Sequence, residues 1–207
     1  MLIAIVDYGM GNVGSITNSL KLLDVDSFVS NDSRLLTKAD GYILPGVGAF
    51  PVAIENLRSR KLDITLTNEI IEKKKPLLGI CLGMQLLAED SEEQKFTRGL
   101  GWIKGHVKRI KAEHVRVPHV GWNDIAIKDA NGLLRNIEQG SHFYFDHEYH
   151  LECEYTDRLI ATCDYGGLLV SVVTKDNIFG VQFHPEKSQR NGLKLLRSFS
   201  EIVKESC

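Results

Sequence analysis

The sequence predicts an α/β domain built on a central mixed, mostly parallel sheet. Three observations lead there. Over residues 1–90, short apolar runs alternate with stretches of helical periodicity, the pattern of a parallel sheet covered on both faces. After residue 99 the pattern changes to short alternating segments separated by turn residues, which reads as twisted strands. The chain then closes on one amphipathic stretch, residues 191–204, whose apolar groups recur at helical spacing. No repeat, low-complexity tract or linker interrupts residues 1–207, so one domain is expected.

The elements follow in order. Residues 2–6 are apolar throughout and read as a buried strand. A glycine-marked turn over 9–14 leads into helical spacing over 13–23. Residues 27–30 read as a second strand and 41–44 as a third, which ends in the Pro45-Gly46-Val47-Gly48 loop. Residues 52–75 are helical in pattern, with a break expected near Asp63. A strand over 77–80 and a helix starting near Met84 come next. Short strands are expected over 102–110, 115–118, 123–127, 141–151 and 159–164. Tyr165-Gly166-Gly167 reads as a hairpin turn before a strand over 168–174, and residues 179–183 as a buried strand that delivers His184 to the sheet edge.

Composition sets limits on function. With 207 residues, 43% of them hydrophobic, the chain can bury a sizeable core. A net charge of −2 gives no basic field for nucleic acid. The apolar start is only a strand long, so neither a signal peptide nor a membrane span is expected. The cysteines at 81, 153, 163 and 207 show neither paired nor metal-like spacing, which suits a reducing cytoplasm. His147 and His150 do not form His-Glu-x-x-His, and no metal is expected.

The most informative segment is Gly79-Ile80-Cys81-Leu82-Gly83, between a predicted strand and a predicted helix. This is the glycine-flanked nucleophile of a tight strand-to-helix elbow, with cysteine in the reactive position. The glycines are needed because the turn is strained and crowded. A helix start beside the sulfur favours the thiolate, its reactive form. A thiolate needs a proton partner, and His184-Pro185-Glu186 supplies a histidine and an acid held in fixed relation by proline.

These two segments resemble the signatures of class I glutamine amidotransferases. Residues 3–12, 44–50, 117–123 and 180–188 resemble one branch in particular, the glutaminase subunit of imidazole glycerol phosphate synthase. The resemblance spans essentially the whole chain. It implies a flavodoxin-like fold in a single domain and hydrolysis of glutamine to glutamate and ammonia through a thioester on Cys81. His184 would act as acid and base, and Glu186 would orient it. The oxyanion donors would be the backbone N–H of Leu82 and one from Gly46, Val47 or Gly48. In the family this loop gates activity, so the free subunit is expected to be sluggish. Gln85 and Tyr144 would hold substrate. No organic cofactor is implied.

The resemblance also implies a heterodimer with a (β/α)₈-barrel subunit that receives the ammonia. Asn12, Pro118, Val120, Trp122 and Lys187 would face that partner. Asp146 and Glu148 depart from the family pattern on a substrate-side strand, and Glu148 is a candidate partner for the substrate ammonium. That departure keeps a second reading open, a paralogous subunit that supplies ammonia for amino-sugar formation in surface-polysaccharide synthesis. A stand-alone hydrolase or an inactive regulatory protein of the same fold is a further alternative. Gly9-Met10-Gly11-Asn12-Val13-Gly14 also matches the dinucleotide fingerprint, with Asp32 downstream. The pattern is short, and the family carries the same turn without binding a dinucleotide.

Overall fold

The computed structural model describes residues 1–111, 114–130, 132–153 and 159–207. Its centre is a sheet ordered β2(Ser27–Ser30)-β1(Ile3–Val6)-β3(Gly41–Leu44)-β4(Leu77–Ile80)-β14(Ile178–Val181)-β13(Leu168–Lys175)-β12(Leu159–Asp164)-β9(Ala126–Ile127). The strands from β2 to β14 pair in parallel, and the pairings from β14 to β9 are antiparallel. This is the mixed, mostly parallel sheet that the strand–helix alternation predicts.

Period-two alternation divides the core. Ile3 and Ile5 of β1 pack with Leu195, Leu196 and Phe199 of the closing helix α6(Gln189–Glu205) on one face. Ala4 and Val6 point to the other face, where Phe50, Ala53 and Leu57 of α3(Phe50–Ser59) cover them. Helix α1(Val13–Leu22) joins the first face through Ile16 and Leu20.

The boundaries differ from expectation where backbone geometry overrides pattern. The helical stretch after Gly48 starts at Phe50 and breaks at Lys61, which takes a left-handed φ of 57°, rather than at Asp63. Beyond it lie α4(Leu62–Thr67) and a π-helical turn over Asn68–Glu72. Only Gly105–Arg109 of the stretch 102–110 is a strand, β7, while Trp102 and Ile103 sit buried in the core. Residues 115–118 form no strand, and the Val117–Pro118 peptide is cis. The strand begins after it, as β8(His119–Asp124). Residues 141–151 divide into β10(His142–His147) and β11(Tyr149–Cys153), which enter different sheets. Both carry alternating apolar groups, so periodicity alone does not reveal the break at Glu148. A single-turn helix, α2(Ser33–Leu36), and the short strands β5(Asp90–Ser91) and β6(Thr97–Arg98) carry too little pattern to be read from sequence.

The register places the site. Ile80 pairs with Val181, so β4 and β14 end side by side and deliver Cys81 and Gln182–His184 to one edge. β3 ends next to them and hands over to the Pro45–Gly48 loop. Ligands in open α/β sheets bind at these carboxyl ends. Among the described residues, no helix is long and apolar enough to cross a membrane.

Candidate active site

Cys81 sits between β4 and the single-turn helix α5(Leu82–Gln85), with φ 54° and ψ −112°. A non-glycine residue there is strained, and a buried setting holds it in place. Its N–H donates to Val181 O at 2.8 Å. The flanking glycines allow the close approach: a Cβ on Gly83 would run into the Leu44 carbonyl oxygen, and one on Gly79 would meet the Gly83 carbonyl at 2.8 Å. Cys81 is 6% exposed. The Gln182 amide Nε2 lies 3.7 Å from its sulfur and the Asp146 carbonyl oxygen 3.8 Å. Because α5 is one turn long, its field on the sulfur comes from the local N–H groups of Leu82 and Gly83, which have no acceptor within the helix.

His184 follows β14 and is pinned by backbone and side chain. Its N–H donates to Tyr144 O at 2.9 Å, and its carbonyl accepts from the Ser188 hydroxyl at 2.6 Å. Nδ1 lies 2.8 Å from Glu186 Oε1, and the two side chains are 2% and 1% exposed. Glu186 thus fixes the tautomer and leaves Nε2 for the sulfur. Burial pushes the imidazole pKa down, but hydrogen bonds to Cys81 and Glu186, and the negative charge both can carry, raise it to about 10. An imidazolium beside a sulfur is the arrangement that keeps a thiolate.

The Pro45–Gly48 loop lies against this pair. The buried Tyr8 hydroxyl donates to Pro45 O at 2.7 Å. Gly46 is wedged so tightly that a Cβ would lie 2.7 Å from the Gly83 nitrogen, from Leu82 Cβ and from the Tyr8 oxygen. Gly48 has φ 108°, open to glycine, and packs on the Met10 ε-methyl. Gly46, Val47, Gly48 and Leu82 are therefore brought together beside Cys81, as the sequence predicts. The glycine turn at 9–11 is used as a support for this loop, since Gly11 packs on the Pro45 ring. Asp32 caps α2 and pairs with Arg34 at 2.9 Å, so the dinucleotide pattern is built into local structure.

A cavity of about 290 Å³ opens above the sulfur, and Val47, Gly48, Gln85, Glu93, His147 and His184 contribute to its wall. Gln85 donates through Nε2 to Tyr149 O at 2.8 Å and to Gln182 Oε1 at 3.1 Å. Both its N–H groups are thereby used, and Oε1 remains as an acceptor for a ligand donor. Glu93 is a wall residue that sequence reading missed. Its Oε2 accepts from the Phe50 N–H at 2.8 Å, and burial raises its pKa against that bond. The only signal is its place in an acidic run shortly after the elbow.

Not every expected substrate contact enters the cavity. Tyr144 is absent from its wall; it packs edge-on against Trp122 with centroids 6.2 Å apart, under the Lys187 ammonium at 5.3 Å. Glu148 does line the cavity, yet Arg109 holds its carboxylate at 2.6 Å, so a substrate ammonium would have to compete. The Asp146 carboxylate faces Lys187 at 3.8 Å, and only its backbone approaches the sulfur. Beside the cavity mouth, β8 pairs with β10, with Trp122 opposite Tyr144 and Val120 opposite Asp146. Val120 and Trp122 are 54% and 48% exposed on the outward face. Pro118 stands on the cavity rim, and Asn12 caps α1 by accepting from the Ser15 N–H. Among the described residues, no group of three or more His, Cys, Asp or Glu converges as a metal site.

Comparison with known proteins agrees with this geometry. The family model for glutamine amidotransferase class-I matches residues 4–202. The chain is 48% identical to imidazole glycerol phosphate synthase subunit HisH 2 of Vibrio vulnificus, over 99% of this chain and 96% of that one. It is 44% identical to the HisH subunit of Bacillus subtilis, over 99% and 98%. In structure it resembles a crystallised glutamine amidotransferase, with TM-score 0.76 and 20% identity over 97% of this chain and 98% of that one. That last likeness speaks for the fold alone. The chain belongs to the class I glutamine amidotransferase family.

Proposed function

We propose that this chain, acting as one domain over residues 1–207, is the glutaminase subunit of imidazole glycerol phosphate synthase. It hydrolyses glutamine and passes ammonia to a (β/α)₈-barrel subunit in histidine biosynthesis, in the cytoplasm. The observation that carries the chemistry is the buried line Cys81–His184–Glu186 at the base of the cavity. The identities of 44–48% to HisH subunits over nearly the whole chain support the acceptor pathway.

The Cys81 thiolate attacks the carboxamide carbon, and the His184 imidazolium gives its proton to the departing ammonia. The N–H of Leu82 and one from Gly46–Gly48 stabilise the oxyanion. Water then enters, His184 takes its proton, and the thioester releases glutamate. Gln85 Oε1 and the Glu93 carboxylate are the acceptors for the α-ammonium. The Val120–Trp122 face beside the cavity mouth, with Asn12, Pro118 and Lys187, receives the barrel. Asp146 and Glu148 are paired with Lys187 and Arg109, and neither pair bears on the acceptor, which the partner subunit would hold.

The test is glutamate release by the chain with its cognate barrel and acceptor, alongside growth of a strain that lacks this subunit. Wild type should be strongly stimulated by the barrel and restore growth without histidine. Cys81→Ala should do neither. Full activity of the isolated chain would favour a stand-alone hydrolase, and failure to complement with amination of a nucleotide sugar would establish the other pathway.

A further inference from the structure

We infer that Gln182 is a catalytic residue: its side-chain amide holds the Cys81 sulfur as a thiolate. Gln182 is fully buried in the bend that directly follows β14, two residues before His184. The β4–β14 register sets it directly beside the elbow. Its Nε2 lies 3.7 Å from Cys81 Sγ, within range for a hydrogen bond to sulfur.

The amide is not free to turn. The Tyr149 carbonyl can only accept, so Gln85 must present Nε2 to it, at 2.8 Å. The second N–H of that nitrogen then reaches Gln182 at 3.1 Å, where it needs an acceptor, and Gln182 must answer with Oε1. The same Tyr149 carbonyl lies 2.9 Å from His147 Nδ1, and His147 Nε2 lies 3.0 Å from His119 Nδ1. With His147 donating through Nδ1, its Nε2 must accept, so His119 donates to it. The Tyr149 carbonyl accepts from both His147 and Gln85, and the branch through Gln85 ends with an N–H of Gln182 aimed at sulfur. His184 alone cannot hold the thiolate through a whole turnover. It gives its proton to ammonia during acylation and must then be neutral to take one from water. In deacylation the C–S bond breaks and the electron pair returns to sulfur. A fixed N–H donor stabilises that leaving thiolate without changing its own protonation, and binds it more strongly than the neutral thioester.

The inference rests on Cys81 as the nucleophile and deepens that reading. The test follows the pH dependence of Cys81 alkylation by iodoacetamide in the full-length chain, resolved by peptide mass spectrometry from the other cysteines. Gln182→Met keeps the volume and removes the donor. It should raise the apparent pKa for alkylation by about one unit and slow alkylation about tenfold at pH values below that pKa. With the barrel bound, kcat should fall while KM for glutamine holds. Gln182→Glu keeps the acceptor for Gln85 and turns an oxygen toward sulfur, so its alkylation should be slower still. If Gln182→Met does not fold, Gln182→Glu decides. Alkylation profiles that superimpose on the wild type's would overturn the role of Gln182, even where Cys81→Ala has abolished glutaminase activity and upheld the nucleophile.

Discussion

Glu186 Oε1 lies 2.8 Å from Nδ1 of His184, and almost no solvent reaches either side chain. A carboxylate so placed does two things: it orients the ring and favours its charged form. Glu186→Gln keeps a hydrogen-bond partner and removes the charge. Glutaminase activity with the barrel should fall by about a hundredfold or more. The alkaline limb of the rate profile should move to lower pH, because one of the groups that raise His184 to about 10 is gone. An unchanged alkaline limb would separate Glu186 from the titration of His184.

How much of this was legible in the sequence depends on where the information sits. Cys81, Leu82, His184 and Glu186 lie in compact segments whose glycines and proline dictate backbone shape, and those segments keep their meaning without tertiary context. Glu93 does not, and Gln182, though inside the 180–188 segment, shows no chemistry there on its own. A glutamate in an acidic run and a glutamine just past a buried strand acquire roles only once the turn after α5 brings the one to the cavity wall and the register of β4 on β14 brings the other to the sulfur. Tyr144 shows the reverse: it sits in a motif-like segment, but β10 turns its ring outward toward Trp122. The sheet was readable because short, continuously apolar runs and helical spacing alternate cleanly through β4. The break at Glu148 was not, because β10 and β11 share one pattern while pairing with different partners.

Backbone strain at Cys81 gives a stability prediction separate from chemistry. At φ 54° and ψ −112° any side chain is strained, and only glycine escapes. Cys81→Ala and Cys81→Gly should both be inactive. The glycine variant should nevertheless be more stable than the alanine variant, by about 1 kcal/mol after the flexibility of glycine in the unfolded chain is counted. Urea unfolding of the two proteins measures the difference. A less stable glycine variant would mean that the elbow is relaxed.

Stability should peak near neutral pH because buried histidines pull in opposite directions. Burial lowers His119 to about 4. Burial also lowers His147 to about 3, against the pull of its bond to Tyr149 O. As pH drops below 6.5, the unfolded rings take up protons that the folded ones refuse. Roughly 2 kcal/mol per ring is lost between pH 6.5 and 5. His184 acts on the other side. Its folded pKa is raised, so its contribution is complete below 6.5 and disappears as pH rises through about 10. The urea midpoint should therefore fall on both sides of pH 6–7. His184→Gln should flatten the alkaline side and leave the acid side in place. A midpoint that keeps rising from pH 7 to 10 would contradict the raised pKa.

Trp122 tests the partner face. Its indole is 48% exposed, and its close aromatic neighbour is Tyr144, edge-on at 6.2 Å. Such an aromatic pair is worth about 0.5–1.5 kcal/mol, so Trp122→Ala should lower the melting temperature by only a few degrees. Binding should suffer more. A large aromatic beside the exposed Val120, whose strand partner Asp146 lines the cavity, is placed to anchor a partner. Truncating such an anchor costs about 2 kcal/mol or more, roughly thirtyfold in Kd for the barrel subunit. Stimulation of the glutaminase at saturating barrel reports separately on coupling. Weak binding with full stimulation would make Trp122 an anchor alone. Normal binding with weak stimulation would mean that the indole passes the partner's influence through Tyr144, whose backbone carbonyl holds the His184 N–H at 2.9 Å. A large fall in melting temperature with unchanged affinity would instead identify Trp122 as a brace for β10, and the barrel would have to dock elsewhere.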